Sequence, residues 1–236
     1  MASQQTSNWI SLSDMMTGLM LTFLLIAILV TMQVVNQQRE QQQIVTDYQN
    51  TKEEIYNDLQ EAFKTKEDDW GIEITRDLVV KFKNPDLLFA TDEATLKSEY
   101  QSILDEFIPL YLGIVNKPDY QDRIKEVRIE GHTADYSTAH PTYMSTISLS
   151  QNRSNAVLEY ILQDRYFSQL SFEDQEKLRF WFSANGLGNG RTLDETGSFT
   201  YNSKNNVSPN SRRVEFRILT TSEELIDEII NRYSST

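Results

Sequence analysis

A chain of 236 residues with a formal charge of −13 has room for one sizeable folded domain plus appendages, and its acidic balance argues against nucleic acid as a partner. Without cysteine it can form no disulfide, thiolate nucleophile or Cys-based metal site. With two histidines (His132 and His140), no Gly-x-Ser-x-Gly and no His pair at metal spacing, no enzyme, metal or cofactor is expected.

The chain opens with a tail, residues 1–8, and then runs apolar from Trp9 to Val35, with Asp14 as its one formal charge. Positions 15–38 carry no charge, which exceeds the roughly 20 residues a helix needs to cross hydrocarbon. Residues 9–35 therefore read as a transmembrane helix. The stretch is longer than a signal-peptide core, no Lys or Arg precedes it, and no Ala-x-Ala-like site follows, so a retained anchor is expected. Charge says nothing firm about topology, because Arg39 is followed at once by Glu40.

An acid inside a span is a functional hypothesis by default, since a central one costs roughly 2.5–3.5 kcal/mol on insertion scales. Asp14 has a competing reading as a first-turn or N-cap acid in the headgroup layer, about 7 Å deeper than the interface anchor Trp9. Thr17 and Thr22 are the nearby hydroxyls, either helpers of Asp14 or bonded to their own helix backbone.

Residues 36–70 are rich in Gln, Glu, Asp and Lys and contain no Gly or Pro before position 71. Ile44, Tyr48, Ile55, Leu59 and Phe63 form a narrow apolar stripe, which predicts an amphipathic stalk helix suited to pairing with another helix. Unbroken helix from about Ile10 to Lys66 would span roughly 85 Å at 1.5 Å per residue.

From Gly71 onward the pattern changes. Residues 71–82 alternate as a strand or hairpin, and Asn84-Pro85-Asp86 breaks it. A helix is expected from Asp92 through Leu110, a strand from Ile124 to His132, and a polar loop to about Thr146. A second helix is expected over Leu149–Phe167, a short one capped by Ser171, a strand over Phe180–Asn185, a last strand over Arg213–Leu219 and a C-terminal helix from Thr221. Gly186-x-Gly-x-Gly lacks the context of a dinucleotide loop and reads as a turn. The order implies an α+β fold, a mixed-sheet α/β sandwich, over residues 71–236.

Two resemblances accompany these patterns. Trp9, Ser13-Asp14-Met15-Met16-Thr17-Gly18-Leu19-Met20 and Phe23-Leu24-Leu25 resemble the transmembrane helix of MotB-type stator subunits, whose aspartate binds the translocated ion. Ile129-Glu130-Gly131-His132-Thr133, Leu149-Ser150-Gln151-Asn152-Arg153, Gly186-Leu187-Gly188 and Ser211-Arg212-Arg213-Val214-Glu215 resemble the OmpA-like peptidoglycan-binding domain. Within that architecture the wording around Asp14, and the absence of a basic tail, are most similar to the ZorB family of Zorya anti-phage defence systems.

The resemblance implies that Arg153 binds the carboxylate of a peptidoglycan stem. Thr133, Thr146 and Leu149 fall on other positions of the family's site. The family's aspartate after Gly-His-Thr is displaced here: Ala134 takes its place and Asp135 follows one residue later. Thr146 stands where the family often has Asn. Read from the residues alone, Arg153 could instead pair with Asp135 or Glu159. The resemblance further implies a single-pass protein of the bacterial inner membrane, N-terminus cytoplasmic and C-terminal domain periplasmic. It also implies a homodimer, surrounding membrane lipids and a ring of MotA-like (ZorA-like) multi-span subunits. The transported ion is expected to be a proton, with sodium as the alternative, because no polar cluster besides Asp14 and the threonines could replace a sodium ion's hydration shell. Two other readings stay open: a flagellar-type MotB stator, and a passive envelope tether in which Asp14 is only a cap.

Overall fold

The computed structural model describes the backbone of residues 2–134, 142–203, 206–221 and 223, and side chains from residue 15 onward except at 85, 86, 202 and 203. The chain divides into two compact units, Met1–Asp47 and Tyr48–Thr236, and the division falls within helix α1 (Ala2–Phe63).

In the first unit every described side chain from residue 15 to 40 is exposed around the whole helix, from Leu21 and Phe23 to Val34 and Val35. An apolar surface of that extent belongs in hydrocarbon rather than water. This helix is long and apolar enough to cross a membrane. Thr22 Oγ1 donates to Gly18 O and Thr31 Oγ1 to Ala27 O, both at 2.8 Å, so each hydroxyl is satisfied by its own helix. Asp14 lies on α1, but its side chain is outside the described residues.

The second unit corrects the stalk. Ile55, Leu59 and Phe63, whose spacing suggested pairing with another helix, are 0% exposed. Phe63 stacks on Phe107 at 5.1 Å and lies 6.2 Å from Trp70. Around this apolar seam Lys52 pairs with Asp77, Arg123 with Glu54, and Lys117 with Asp58, which also accepts from the Tyr120 hydroxyl. The last turns of α1 therefore belong to the globular unit. Periodicity identifies the buried face of a helix but not what covers it. The helix stops at Phe63 rather than reaching 70; Glu67–Trp70 forms a separate turn, α2, closed by Gly71 at φ 61°, where a side chain would be strained.

A five-stranded mixed sheet follows, built from β1 (Ile72–Thr75), β2 (Val79–Phe82), β3 (Ile124–His132), β4 (Phe182–Gly186) and β5 (Arg213–Thr220) in the order β1-β2-β5-β3-β4. Only β3 and β4 run parallel; the other neighbours are antiparallel. The register separates two faces. Ile72, Ile74, Val80, Phe82, Val214, Phe216, Val127, Ile129 and Phe182 share the apolar one. Glu73, Lys81, Glu215, Arg213, Arg217, Arg128, Glu130 and His132 share the other, as the period of two requires.

Helices cover the apolar face. From α4 (Ser98–Val115), Phe107 meets Phe82 and Phe216 at 5.1 and 5.0 Å. α5 (Tyr143–Gln163) buries Val157 and Ile161 in the same core. Its approach needs glycine in the strands beneath it: a Cβ on Gly131 would lie 2.2 Å from Ser150 O, and one on Gly186 2.3 Å from Gln151 N. The remaining α-helices among the described residues are α3 (Pro85–Leu88), α6 (Arg165–Gln169), α7 (Phe172–Trp181) and α8 (Thr200–Ser203).

Two helix starts differ from the expectation. α4 begins at Ser98, not Asp92, because Asp92 sits at φ +58° in a turn held by the Phe89–Leu96 bridge. α5 begins at Tyr143, six residues before Leu149, because Thr142 caps it by accepting from Ser145 N. It also ends sooner, since Asp164 caps α6. The expected C-terminal helix lies, beyond residue 223, outside the described residues.

Candidate functional site

A small pocket opens where the end of β3, the start of β5, α5 and the turn after α3 meet; Leu88, Phe89, His132, Arg153, Arg212 and Arg213 line it. Three of its six residues are arginines. Arg153 comes from the buried side of α5 and is only 7% exposed. Its Nε donates to Glu93 O at 2.8 Å, its Nη2 to Ala90 O at 3.2 Å, and its guanidinium lies 5.0 Å from the centre of the Phe89 ring. The turn that displaced the start of α4 aims both carbonyls at it.

Among the described residues Arg153 pairs with no carboxylate. The pairing with Glu159 read from the residues alone does not form: six residues further along α5, Glu159 is exposed and accepts from Gln163 Nε2. Asp135, the other such partner, lies outside the described residues. Burial lowers the Arg153 pKa to about 10, with Arg212 acting in the same direction and Asp92 against it. A buried guanidinium whose hydrogen bonds go to main-chain carbonyls has its fork free of a paired carboxylate among the described residues, and a carboxylate is the partner that best matches that fork.

Arg213, beside it, is already neutralised. Its Nε donates to Glu215 Oε1 at 2.6 Å, and Arg217 reaches the other oxygen of Glu215 at 3.3 Å. Directly opposite in the strand pairing, His132 faces Arg213 and Glu130 faces Glu215. His132 Nε2 stands 3.8 Å from a carboxylate oxygen of each glutamate. Burial, reinforced by Arg213, pushes the His132 pKa down despite those carboxylates, so the ring is neutral at pH 7. Burial opposes the ionisation of Glu130 and Glu215. For Glu130 the His132 ring and Arg217 outweigh it, and for Glu215 Arg213 does, holding both below the ordinary carboxylate range. This network fixes the floor of the pocket.

The other residues expected at the site are placed differently. Thr146 is buried and turned inward: its Oγ1 donates to Tyr143 O at 2.7 Å, lies 3.2 Å from Asn189 Oδ1 and accepts from Asn189 N at 3.4 Å. It ties α5 to the glycine turn, where a Cβ on Gly188, at φ +54°, would lie 2.8 Å from that same oxygen. Thr133 is buried and its backbone N–H bonds Gly188 O at 3.0 Å. Leu149 is half-buried, one turn before Arg153. None of these three lines the pocket with Arg153. Reading the sequence by motif singled out neither Phe89 nor Arg212 as site residues. The adjacent arginines at 212 and 213, the second of which lies directly opposite His132 in the paired strands, are the signal that would have found Arg212.

Residues 88–206 match the OmpA family. A protein from Escherichia coli named Zorya protein ZorB is 36% identical over 234 residues, covering 96% of this chain and 94% of that protein. Among solved structures, a MotB-like protein from Desulfovibrio vulgaris covers 74% of this chain and 98% of its own at 18% identity, with a TM-score of 0.49. The periplasmic domain of Helicobacter pylori MotB covers 66% and 85% at 17% identity, with a TM-score of 0.41. The class is thus an apolar N-terminal helix joined to an OmpA-family domain. Within that class, the chain belongs to the ZorB family.

Proposed function

We propose that this chain is the peptidoglycan-anchored, stator-like subunit of a rotary membrane motor. In this reading proton flow through Asp14 drives rotation of a ring of MotA-like subunits around a homodimer of this chain. The observation that supports it best is the combination, in one chain, of an exposed apolar helix bearing one acid with an OmpA-family domain that keeps a buried arginine hydrogen-bonded to two carbonyls in a small pocket. Arg153 would take the carboxylate of a peptidoglycan stem and fix the domain to the wall. A fixed domain gives the helix something to push against.

Hydrocarbon disfavours an ionised carboxylate, so an acid in the span can take a proton from one side and release it to the other as its surroundings alternate. One charge crossing 100 mV releases roughly 2.3 kcal/mol, enough to bias a two-state step. A single span cannot form the pathway, because a charged group must face protein or water, which is why multi-span partners are required. The placement N-terminus cytoplasmic and OmpA-family domain periplasmic follows from this arrangement, and the role in anti-phage defence rests on the likeness to ZorB.

Two variants test it. Asp14→Asn should assemble with its partners and lose ion-driven activity; full activity would reduce the chain to a passive tether. Arg153→Ala should lose retention on purified peptidoglycan, and unchanged retention would remove Arg153 from the site.

A further inference from the structure

His132 ends β3 in the wall of the Arg153 pocket, and its side chain is 1% exposed. Neither ring nitrogen has a hydrogen-bond partner among the described residues, and neither does Glu130 Oε2. Buried polar atoms in folded proteins are nearly always paired, so three orphans in one cluster call for a physical account. Nε2 stands 3.8 Å from an oxygen of Glu130 and 3.8 Å from one of Glu215, too far for a hydrogen bond and close enough for charge attraction. Ligand atoms of these three residues lie within 4.8 Å of one another, a spacing that suits a cation. The surrounding charges do not suit one. Arg213 and Arg217 already balance the two carboxylates, and Arg128 and Arg191 stand 3.8 and 3.9 Å from Glu130. A divalent ion would add two charges with nothing to offset them.

A single proton is a smaller charge, and an occupied pocket offsets it. Around His132 stand Glu130 and Arg128 from β3, Arg213, Glu215 and Arg217 from β5, and Arg191 from the turn after β4. Arg153 of α5 and Arg212 share its pocket, and Asp92 acts on Arg153. While the pocket is empty its wall is cationic, and burial together with Arg213 keeps the ring uncharged. A carboxylate seated on Arg153 adds its attraction to that of Glu130 and Glu215 and favours the imidazolium. The coupling is reciprocal: a ligand that strengthens proton binding at His132 is itself held more tightly when the proton is there.

We propose that the pocket takes its carboxylate together with a proton on His132, so that the grip on the wall tightens as the surrounding pH falls. The proposal rests on Arg153 as the seat of the carboxylate and adds how that seat is regulated. A free peptide carboxylate stays ionised down to about pH 4, so between pH 8 and 5.5 the ring titrates and the ligand does not. Affinity rises as pH falls through the pKa of the occupied ring and levels off once the empty ring is protonated too.

Full-length chain in detergent, bound to purified peptidoglycan, should hold at least about fivefold more tightly at pH 5.5 than at pH 7.5, the low end of ordinary coupling between two sites. His132→Gln should abolish that ratio, and His140→Gln should keep it. Calorimetric titration of the unsubstituted chain with muropeptides cut from the same peptidoglycan, in two buffers of different ionisation heat at pH 6, should show net proton uptake; this readout needs no variant to fold. Retention that depends on Arg153 but shows neither a pH ratio nor proton uptake overturns the proton on His132 and leaves the seat of the carboxylate standing. Retention indifferent to Arg153→Ala overturns both. A pH ratio that survives in His132→Gln places the proton elsewhere and overturns the proposal.

Discussion

Gly131→Ala tests the seat of Arg153 most directly. The new Cβ would lie 2.2 Å from Ser150 O and 3.0 Å from Ser150 C, both main-chain atoms of α5. An ordinary carbon–oxygen contact is about 3.3–3.6 Å, so helix and strand must part by roughly 1 Å. No rotamer change relieves a clash between two backbones. A gap of that size forfeits about a quarter to a half of each dispersion contact across the seam, where Val157 and Ile161 are buried. It also stretches the 2.8 Å bond from Gly188 N to Ser150 Oγ. Overpacking typically costs about 1–3 kcal/mol, and a main-chain clash belongs at the upper end. At about 2–4 °C per kcal/mol for a unit of this size, the melting temperature followed by tryptophan fluorescence should fall by about 6–12 °C. Peptidoglycan retention should weaken with it, because Arg153 rides on the displaced helix. Gly113→Ala is the control: its Cβ meets only the Tyr166 hydroxyl at 3.8 Å, within a helix, and should stabilise by up to about 1 kcal/mol. An unchanged melting temperature for Gly131→Ala would refute the close strand–helix contact.

Leu59→Ala should destabilise the globular unit by about 2–5 kcal/mol in urea unfolding, as for a fully buried leucine; a loss below about 0.5 kcal/mol would return the end of α1 to the role of a free stalk. The buried charge network predicts a two-stage loss of stability in acid. His132 has a lowered pKa, so the unfolded chain binds its proton more readily, and stability should decline as pH falls below about 6.5, its ordinary value. Glu130 and Glu215, held below 4.5, contribute stability above that value and lose it on further acidification. His132→Gln should flatten the upper stage in a series of melts, and an unaltered profile would contradict the burial of the ring.

The sequence alone determined the features that depend on local pattern. The uncharged run after Asp14 marks a helix long and apolar enough to cross a membrane, because that property depends on length and polarity and no fold is needed to read either. Strands β3 and β5 were legible because alternation has a period of two. The family motifs located Arg153. Tertiary structure decided where pattern gave no partner. The stripe of Ile55, Leu59 and Phe63 reads the same whether a second helix or the Phe107 side of a domain covers it, and only packing assigned it to the core. Asp92-Glu93-Ala94-Thr95 looks like a helix start until Asp92 takes a left-handed turn that aims the Ala90 and Glu93 carbonyls at an arginine about 60 residues away. The pocket itself exists because β3 pairs with β5, bringing His132 opposite Arg213, and because glycines at 131 and 186 let α5 settle close enough for Arg153 to reach it. Contacts between residues so far apart in the chain follow from how the strands pair and how closely the backbones approach, which no local spacing encodes.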